Sequence, residues 1–320
     1  MTPLPLYSIL QGDVLDMLAT LPDESVNCVV TSPPYWGLRD YGVDGQIGLE
    51  RTPGEYVARM VAVFREVRRV LRRDGVAWVN LGDSYANQGA APPRRDHSGS
   101  KSTGTYGTQG YSLASSAHWR DTPEGLKPKD LVGIPWRVAF ALQADGWWLR
   151  RDVIWEKPNT MPESAKDRPT TSHEYIFMLT KAARYWYDAD AVREMADQPS
   201  RIRADRMGGN KHGGDTTKHS DGSIFTGAST RNLRSIWTIP TQPTPEAHFA
   251  TFPEELPRRC ILASCPVGGV VLDPFMGSGT TLKVAVELGR RGLGIELNPT
   301  YIEIARRKLT GVQLPMVATA

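Results

Sequence analysis

The chain has 320 residues, of which 40% are hydrophobic and 23% are charged, and its formal net charge is +3. This length suits one large α/β domain or a core domain with an insertion. No apolar run approaches the ~18 residues of a membrane helix, and Met1–Pro5 lacks the basic and apolar regions of a signal peptide. The composition therefore argues against a membrane span and a secreted protein, and it predicts a cytoplasmic one without a membrane partner.

The three cysteines, Cys28, Cys260 and Cys265, are odd in number and are not spaced as metal ligands. They predict a reducing compartment, without a disulfide framework or a zinc site. His212 and His219 have no partnering cysteines, so no metal is expected there either. The small positive charge is compatible with nucleic acid, but any charge that binds DNA must be local.

The first part of the chain alternates between strand and helix patterns. In chain order, the predicted elements are a strand at Tyr7–Leu10, a helix at Val14–Leu21, a buried strand at Ser25–Thr31, a helix at Thr52–Leu71 and a strand at Val76–Leu81. Thr52–Glu55 is a capping box that starts the long helix, and Asp74 with Gly75 is its predicted exit turn. A helix between two strands is typical of a mostly parallel sheet.

Two segments without periodicity, residues 86–125 and 193–234, interrupt the rest of the chain. The predicted elements around them are helix Leu131–Asp145, strand Trp147–Glu156, strand Ser172–Lys181, helix Pro253–Ser264, strand Val270–Asp273, helix Thr280–Leu288, strand Gly292–Glu296 and helix Thr300–Lys308. The pattern predicts a doubly wound, mostly parallel but mixed sheet with an inserted irregular region.

Val270–Thr281 is predicted as a strand, a glycine turn and the start of a helix. Gly277 and Gly279 allow the backbone to approach a ligand closely, and amides at a helix N-terminus favour a carboxylate. Glu296 ends the next strand, where an acid can accept the ribose hydroxyl protons of a nucleotide. A nicotinamide site needs a third glycine where Leu282 stands. The alternative is that this glycine turn is only a tight connection between strand and helix and binds no ligand.

Ser32-Pro33-Pro34-Tyr35 follows the buried strand and suits methylation of an exocyclic amine. The lone pair of such an amine is delocalised into the base, so acceptors for both amine hydrogens raise its nucleophilicity. The Ser32 hydroxyl and the Pro33 carbonyl are the candidate acceptors, and successive prolines hold that carbonyl in place. Tyr35 offers a flat face to a base rotated out of the helix. The alternative is a proline-rich turn without catalytic function.

Together, Ser32–Tyr35 (SPPY) and Asp273–Thr281 (DPFMGSGTT) closely resemble the catalytic motif and S-adenosylmethionine loop of beta-class amino DNA methyltransferases. In that class the catalytic motif precedes the target-recognition region and the cofactor loop comes last. The resemblance covers most of the chain. It implies the methyltransferase fold, S-adenosylmethionine as cofactor, double-stranded DNA as substrate, a restriction-modification role in a bacterium or phage, and a homodimer.

The resemblance also implies roles for residues outside the two motifs. Arg150–Asn159 and Thr171–Phe177 match core strands that line the base pocket, and Asp13 falls near the cofactor adenine, although it also fits a helix N-cap. The predicted cofactor-binding residues are Asp13, Thr251, Phe252, Pro253, Asp273, Pro274, Phe275, Gly277, Gly279, Thr280, Thr281 and Glu296. The predicted catalytic residues are Ser32, Pro33, Pro34 and Tyr35.

Ser32 favours cytosine N4 as the target. Adenine enzymes of the family more often carry Asp or Asn at this position, but some members with SPPY methylate adenine, so adenine N6 stays open. Cytosine C5 chemistry needs a Pro-Cys nucleophile, and Cys265-Pro266 has the reverse order. Glutamine methylation normally uses Asn-Pro-Pro-Tyr after the cofactor loop. A catalytically silent DNA-binding relative is a further alternative, against which the intact motifs argue.

Residues 193–234 contain eight Lys or Arg against five Asp or Glu, and they lie where this class keeps target recognition. A solvated loop is the alternative, but the placement favours contacts to phosphates and bases. The predicted DNA-binding residues are Arg201, Arg203, Arg206 and Lys211. The predicted regions are 1–85 (catalytic half), 86–125 (flexible insertion), 126–190 (core continued), 191–236 (target recognition) and 237–320 (cofactor-binding half).

Overall fold

A computed structural model describes residues 5–38, 42–86, 122–195, 230–242 and 252–312, together with the backbone of three short strands between 201 and 226. The strands are β1 Tyr7–Gln11, β2 Val26–Thr31, β3 Leu71–Leu81, β4 Trp148–Glu156, β5 His173–Thr180, β6 Glu194–Met195, β7 Arg201–Arg203, β8 Thr216–Lys218, β9 Ser223–Thr226, β10 Thr230–Arg231, β11 Ile236–Thr238, β12 Val270–Asp273 and β13 Arg291–Glu296. The helices are α1 Val14–Ala19, α2 Pro53–Val70, α3 Ile134–Ala144, α4 Glu255–Ser264, α5 Thr280–Glu287 and α6 Pro299–Thr310.

The core is an eight-stranded sheet in the order β1-β13-β12-β2-β3-β5-β4-β11. All neighbouring strands are parallel except β5, which runs antiparallel to both β3 and β4. This confirms the predicted doubly wound, mostly parallel but mixed sheet. The last two strands, β12 and β13, lie between β1 and β2, so the two ends of the chain form one half of the sheet.

Strand periodicity distributes the core between the two faces of the sheet. In β3, Ala77 and Val79 belong to the buried cluster under α1, α2 and α3, whereas Val76 and Trp78 belong to the cluster under α4 and α5. Successive side chains of a strand point to opposite faces, and a parallel sheet covered by helices is apolar on both. The unbroken apolar runs in the sequence follow from this double burial.

The predicted capping box at the start of α2 is confirmed. The Thr52 hydroxyl accepts a bond from the Glu55 amide at 3.1 Å, and the Glu55 carboxylate accepts one from the Thr52 amide at 3.2 Å. The predicted exit turn at Asp74 and Gly75 is wrong, because β3 begins at Leu71 directly after the helix. Gly75 is needed for a close approach instead: a Cβ there would lie 2.6 Å from Leu71 Cδ1.

The start of α3 is set by a residue of a neighbouring strand end. The helix begins at Ile134 instead of the predicted Leu131, and Gly133 precedes it with a φ of +78°. The Asp83 carboxylate, just beyond β3, accepts bonds from the amides of Gly133 and Ile134, both at 3.0 Å. Such a cap joins distant parts of the chain, so local sequence patterns do not reveal it.

The segment predicted as irregular contains short strands. β6 pairs with β10, and β9 pairs with both β7 and β8, all antiparallel. The prediction was wrong here because strands of two to four residues are too short for a periodic pattern. Arg201 and Arg203 are the two ends of β7, whereas Arg206, Lys211 and residues 87–121 of the predicted insertion lie outside the described residues. Within the described residues, no helix is long and apolar enough to cross a membrane.

Candidate active site

Parallel pairing brings the carboxyl ends of β1, β2, β3, β12 and β13 to one edge of the sheet. A cleft with an empty volume of about 770 Å³ opens at this edge, which is where open α/β sheets bind ligands. Its lining residues are Gly12, Asp13, Val14, Ser32, Pro34, Val43, Gly45, Gln46, Ile47, Pro274, Phe275, Gly277, Ile295, Glu296, Leu297, Asn298 and Tyr301. The two predicted motifs therefore meet in one cleft, because β2 pairs with β12.

Asp273 holds the two motifs together from behind the cleft. Its buried carboxylate accepts bonds from the hydroxyls of Thr31 and Thr281, both at 2.7 Å, and from the Phe275 amide at 3.1 Å. Burial raises the pKa of Asp273 to about 6 against the hydrogen bonds, which lower it. Asp273 and Thr281 do not line the cleft, so the structure places them as supports of the loop.

The two glycines of the loop have different surroundings. Gly277 lines the cleft with a φ of +52°, and its amide donates to the Glu296 carboxylate at 2.8 Å. Gly279 has a φ of +77°, and a Cβ there would lie 2.9 Å from the Cβ of Ala305 on α6. Gly279 and its buried neighbour Thr280 lie outside the cleft lining, and Lys308 donates to the Thr280 hydroxyl at 3.3 Å. The second glycine thus serves helix packing.

Glu296 lines the cleft at the end of β13. One carboxylate oxygen accepts the Gly277 amide and the other accepts the Asn298 amide, each at 2.8 Å. Burial raises the pKa of Glu296, and the nearby Asp273 charge adds to the rise. Since each carboxylate oxygen has two lone pairs, Glu296 keeps acceptor capacity for ligand hydroxyls.

Asp13 is the predicted N-cap of α1, and its predicted place near the cofactor adenine remains a prediction. Its carboxylate accepts the Leu15 amide at 2.8 Å and caps α1, and the residue also lines the cleft. By contrast, Phe252 and Pro253 do not line the cleft; Phe252 packs against the buried cluster under α4 and α5. Thr251 lies outside the described residues, and the roles of these three remain predictions.

Sequence reasoning missed two segments of the lining. Leu297, Asn298 and Tyr301 follow β13, and the Asn298 side chain caps α6 by accepting the Thr300 amide at 2.9 Å. An N-cap Asn before a proline, directly after Glu296, was a readable signal for part of this wall. Residues 43–47 carry no such signal, because only the tertiary fold brings them to the cleft.

A chain of hydrogen bonds extends from the catalytic motif. The Ser32 hydroxyl donates to the Tyr35 hydroxyl at 3.3 Å, and the Tyr35 hydroxyl donates to the Glu174 carboxylate at 2.6 Å. Burial raises the pKa of Tyr35 well above its usual value, and the Glu174 charge adds to this. Asn80 donates to the same Glu174 oxygen at 2.9 Å, and Lys157 forms an ion pair with Glu174.

Two further contacts hold the catalytic motif. The buried Tyr56 of α2 donates to the Pro34 carbonyl at 2.9 Å. Gly82, one residue beyond β3, lies against the Tyr35 ring, where an added Cβ would stand 2.5 Å from Cε2. Lys157 and Glu174 fall within the segments predicted to line the base pocket, but their pairing with Tyr35 and Asn80 was not predicted, because it depends on the antiparallel insertion of β5.

Comparison with known proteins assigns the family. The DNA methylase family N6_N4_Mtase matches residues 26–307, which is most of the chain. The protein belongs to this family. As an N6/N4 DNA methylase, it is a DNA methyltransferase, which confirms the function class predicted from the two motifs.

Relatives of the methylase agree over nearly its whole length. The chain is 48% identical to the type II methyltransferase M.Cfr9I of Citrobacter freundii, over 98% of this chain and 91% of that protein. It is 45% identical to the type II methyltransferase M.SmaI of Serratia marcescens, over 94% of this chain and 90% of that protein. These similarities support the predicted restriction-modification type of methyltransferase.

Solved structures support the fold of the methylase. The protein TTHA0409 of Thermus thermophilus, solved in complex with S-adenosyl-L-methionine, has 25% identity and a TM-score of 0.57, covering 96% of this chain and 94% of that one. The cytosine-N4-specific PvuII DNA methyltransferase has 19% identity and a TM-score of 0.60, covering 96% and 95%. At 19% identity this second match supports the fold alone.

Among the described residues, no cluster of three potential metal ligands occurs.

Proposed function

We propose that this methylase transfers a methyl group from S-adenosylmethionine to the exocyclic N4 amine of cytosine at a specific site in double-stranded DNA. The observation that carries the proposal is the position of Ser32. Its neutral hydroxyl, in the S-P-P-Y pattern more typical of cytosine N4 enzymes, lines the same cleft as the glycine loop. The base would enter between Ser32–Tyr35 and the methyl donor.

The cofactor is S-adenosylmethionine, and the residues of the cleft fit it. Glu296 would accept the ribose hydroxyls with its remaining lone pairs, while Asp13, Phe275 and Ile295 would surround the nucleoside. Gly277 would let the loop backbone approach the ligand. When bound, the cofactor supplies an activated methyl group on a sulfonium.

The protein residues have to position the amine and accept its hydrogens. The Ser32 hydroxyl is one acceptor and the Pro33 carbonyl is the other; within the described part of the chain, no donor reaches that carbonyl. In-line positioning supplies most of the acceleration, since the methyl group is already activated. The methylated amine is transiently cationic and loses its proton readily, so no strong base is required at this site.

DNA recognition is assigned to residues 191–236. Arg201, Arg203, Arg206 and Lys211 would contact phosphates and base edges, and the target base would be rotated out of the duplex to reach Ser32. Unpairing a base costs a few kcal/mol, which contacts to the flipped base and to the surrounding phosphates must offset. The protein would act as a homodimer, as its class implies.

The experiment that tests the base is nucleoside analysis of modified DNA. Plasmid DNA would be incubated with the protein and labelled S-adenosylmethionine, digested to nucleosides and separated by mass. We expect N4-methylcytosine, and we expect Ser32→Ala to abolish transfer while DNA binding persists. Finding only N6-methyladenine would overturn the choice of base. DNA binding without methyl transfer by the unmodified protein would overturn the enzyme assignment.

A further inference from the structure

The hydrogen bonds around the catalytic motif have a definite direction. Tyr35 has one hydroxyl proton and two acceptors within reach, the Glu174 carboxylate at 2.6 Å and the Asn80 amide oxygen at 3.1 Å. The shorter bond goes to the charged acceptor, and such bonds are stronger than neutral ones. With its proton committed to Glu174, Tyr35 presents only lone pairs toward Ser32. Ser32 therefore donates its own proton to Tyr35.

Glu174 is held in this position from two sides. Lys157 pairs with one carboxylate oxygen, and the Asn80 amide donates to the other at 2.9 Å, the oxygen that also receives the Tyr35 proton. The side chains of Glu174 and Lys157 are only 17% and 18% exposed. The Lys157 ammonium also lies 4.4 Å from the centre of the Trp155 ring. These partners fix the orientation of the Glu174 carboxylate, so that one of its oxygens faces the Tyr35 hydroxyl.

The direction of this chain decides what Ser32 can offer to a substrate. A serine hydroxyl has one proton and two lone pairs. If Tyr35 donated to Ser32, one lone pair would be occupied and the serine proton would be free to point into the cleft. A proton pointing at the amine hydrogens would repel them. Because the proton goes to Tyr35 instead, the Ser32 lone pairs remain available to accept from the amine.

We propose that Glu174 is a positioning residue that acts through Tyr35 to fix the Ser32 hydroxyl as a hydrogen-bond acceptor for the target amine. The inference rests on the proposed amine methylation at Ser32 and deepens it. Glu174 lies on β5, and its ion-pair partner Lys157 lies just beyond β4. Their proposed function is to set the direction of one hydrogen bond, the bond from the Ser32 hydroxyl to the Tyr35 hydroxyl. This function applies equally to a cytosine or an adenine amine.

Glu174→Gln tests the proposal, because glutamine keeps the size of the side chain but carries an amide that can donate to Tyr35. We expect the single-turnover rate of methyl transfer to fall by roughly 30-fold, as for the loss of one hydrogen bond to a charged group. The affinity for S-adenosylmethionine should change less than about twofold, because Glu174 does not line the cofactor cleft. Equal rates in Glu174→Gln and the unmodified protein would overturn the proposal.

A double-mutant cycle separates positioning from general support of the fold. If Glu174 acts through the Tyr35 hydroxyl, Tyr35→Phe removes that route, and adding Glu174→Gln to it should slow transfer no further. Losses that multiply in the double variant would contradict the proposal. Glu287→Gln is the matched control, since Glu287 on α5 is 25% exposed and ion-paired with Lys283 and Arg258, away from the cleft. Its transfer rate should equal that of the unmodified protein.

A second readout does not depend on catalysis. Tyrosine labelled with ¹³C at Cζ, with Tyr35 assigned by its loss in Tyr35→Phe, reports the ionisation of this hydroxyl by NMR. The pKa of Tyr35 should move toward its usual value in Glu174→Gln, because the charge and the bond that oppose ionisation are removed while burial remains. An unchanged titration would overturn the proposal. Nucleoside analysis of the wild-type product tests the base independently.

Discussion

The two walls of the cleft are supported in different ways. The cofactor wall is supported mainly by residues near it in the sequence: Asp273 accepts from Phe275 and Thr281, and Gly277 donates to Glu296, 19 residues later. Thr31 is the one distant partner among these hydrogen bonds. The catalytic wall, Ser32–Tyr35, depends on side chains from four other places, Tyr56, Asn80, Lys157 and Glu174. The cofactor loop is thus stabilised mainly by residues close to it in the sequence, whereas the catalytic motif is positioned by residues from distant parts of the chain.

Among variants of the residues that support the two walls, the largest effect is expected from disturbing the catalytic wall at Gly82. In Gly82→Ala, the new Cβ would stand 2.5 Å from the Tyr35 ring, so the ring must move. A displacement of about 1 Å at a reacting group costs on the order of 100-fold in rate. We expect that loss in single-turnover methyl transfer, with cofactor affinity retained. Gly54→Ala is the control, since a Cβ there meets only Thr52 Oγ1, at 3.9 Å. Equal losses of transfer rate in the two variants would contradict the prediction that Gly82 supports the catalytic wall.

The cofactor wall should respond to pH through Asp273. Because its folded pKa is raised from 3.8 to about 6, the folded state holds this proton more tightly than the unfolded state. Stability is therefore lost as the pH rises through this window, by about 2 kcal/mol between roughly pH 4.5 and pH 7. We expect Asp273→Asn to lack this contribution. Urea unfolding of the wild-type and Asp273→Asn proteins across this pH range measures the contribution. The same pH dependence of the free energy of unfolding in both proteins would contradict the prediction.

Breaking the cofactor wall at Glu296 should separate affinity from rate. Glu296→Ala removes the acceptor of the Gly277 and Asn298 amides and the proposed partner of the ribose hydroxyls. We expect the dissociation constant for S-adenosylmethionine to rise by roughly 10-fold, about 1.4 kcal/mol, with the transfer rate at saturating cofactor nearly retained. Calorimetric titration gives the affinity, and Glu303→Ala on the exposed side of α6 is the control. A lower transfer rate with an unchanged dissociation constant would contradict this prediction.

The smallest effect is expected at Tyr56, where one hydrogen bond tightens the catalytic wall. Tyr56→Phe removes the bond to the Pro34 carbonyl but keeps the buried ring. One such bond contributes about 1 kcal/mol, so we expect a rate decrease of about fivefold. The measurement is single-turnover transfer, together with thermal unfolding to show that the ring still packs. An unchanged rate would mean that the prolines alone hold this turn.

Most of the fold and half of the site follow from the sequence. The core strand β11 was not predicted, and β3 begins at Leu71 instead of the predicted Val76. The other helices and strands of the core were predicted to within a few residues, because apolar periodicity and caps such as Thr52 with Glu55 are local signals. The cofactor loop was readable for the same reason. Gly279, Thr280 and Thr281 belong to that motif, yet the structure places them behind the cleft lining; a motif identifies a loop without telling which of its residues face the ligand.

What the sequence determined by itself is the pair of motifs, their order and the parallel sheet that carries them, because these depend on contiguous residues. The tertiary structure decided which distant residues surround them. The antiparallel strand β5 brings Glu174 to Tyr35, and the insertion of β12 beside β2 brings Asp273 to Thr31. Contacts between residues more than a hundred positions apart leave no periodic trace in one sequence, so only the folded chain reveals the supports of its reacting group.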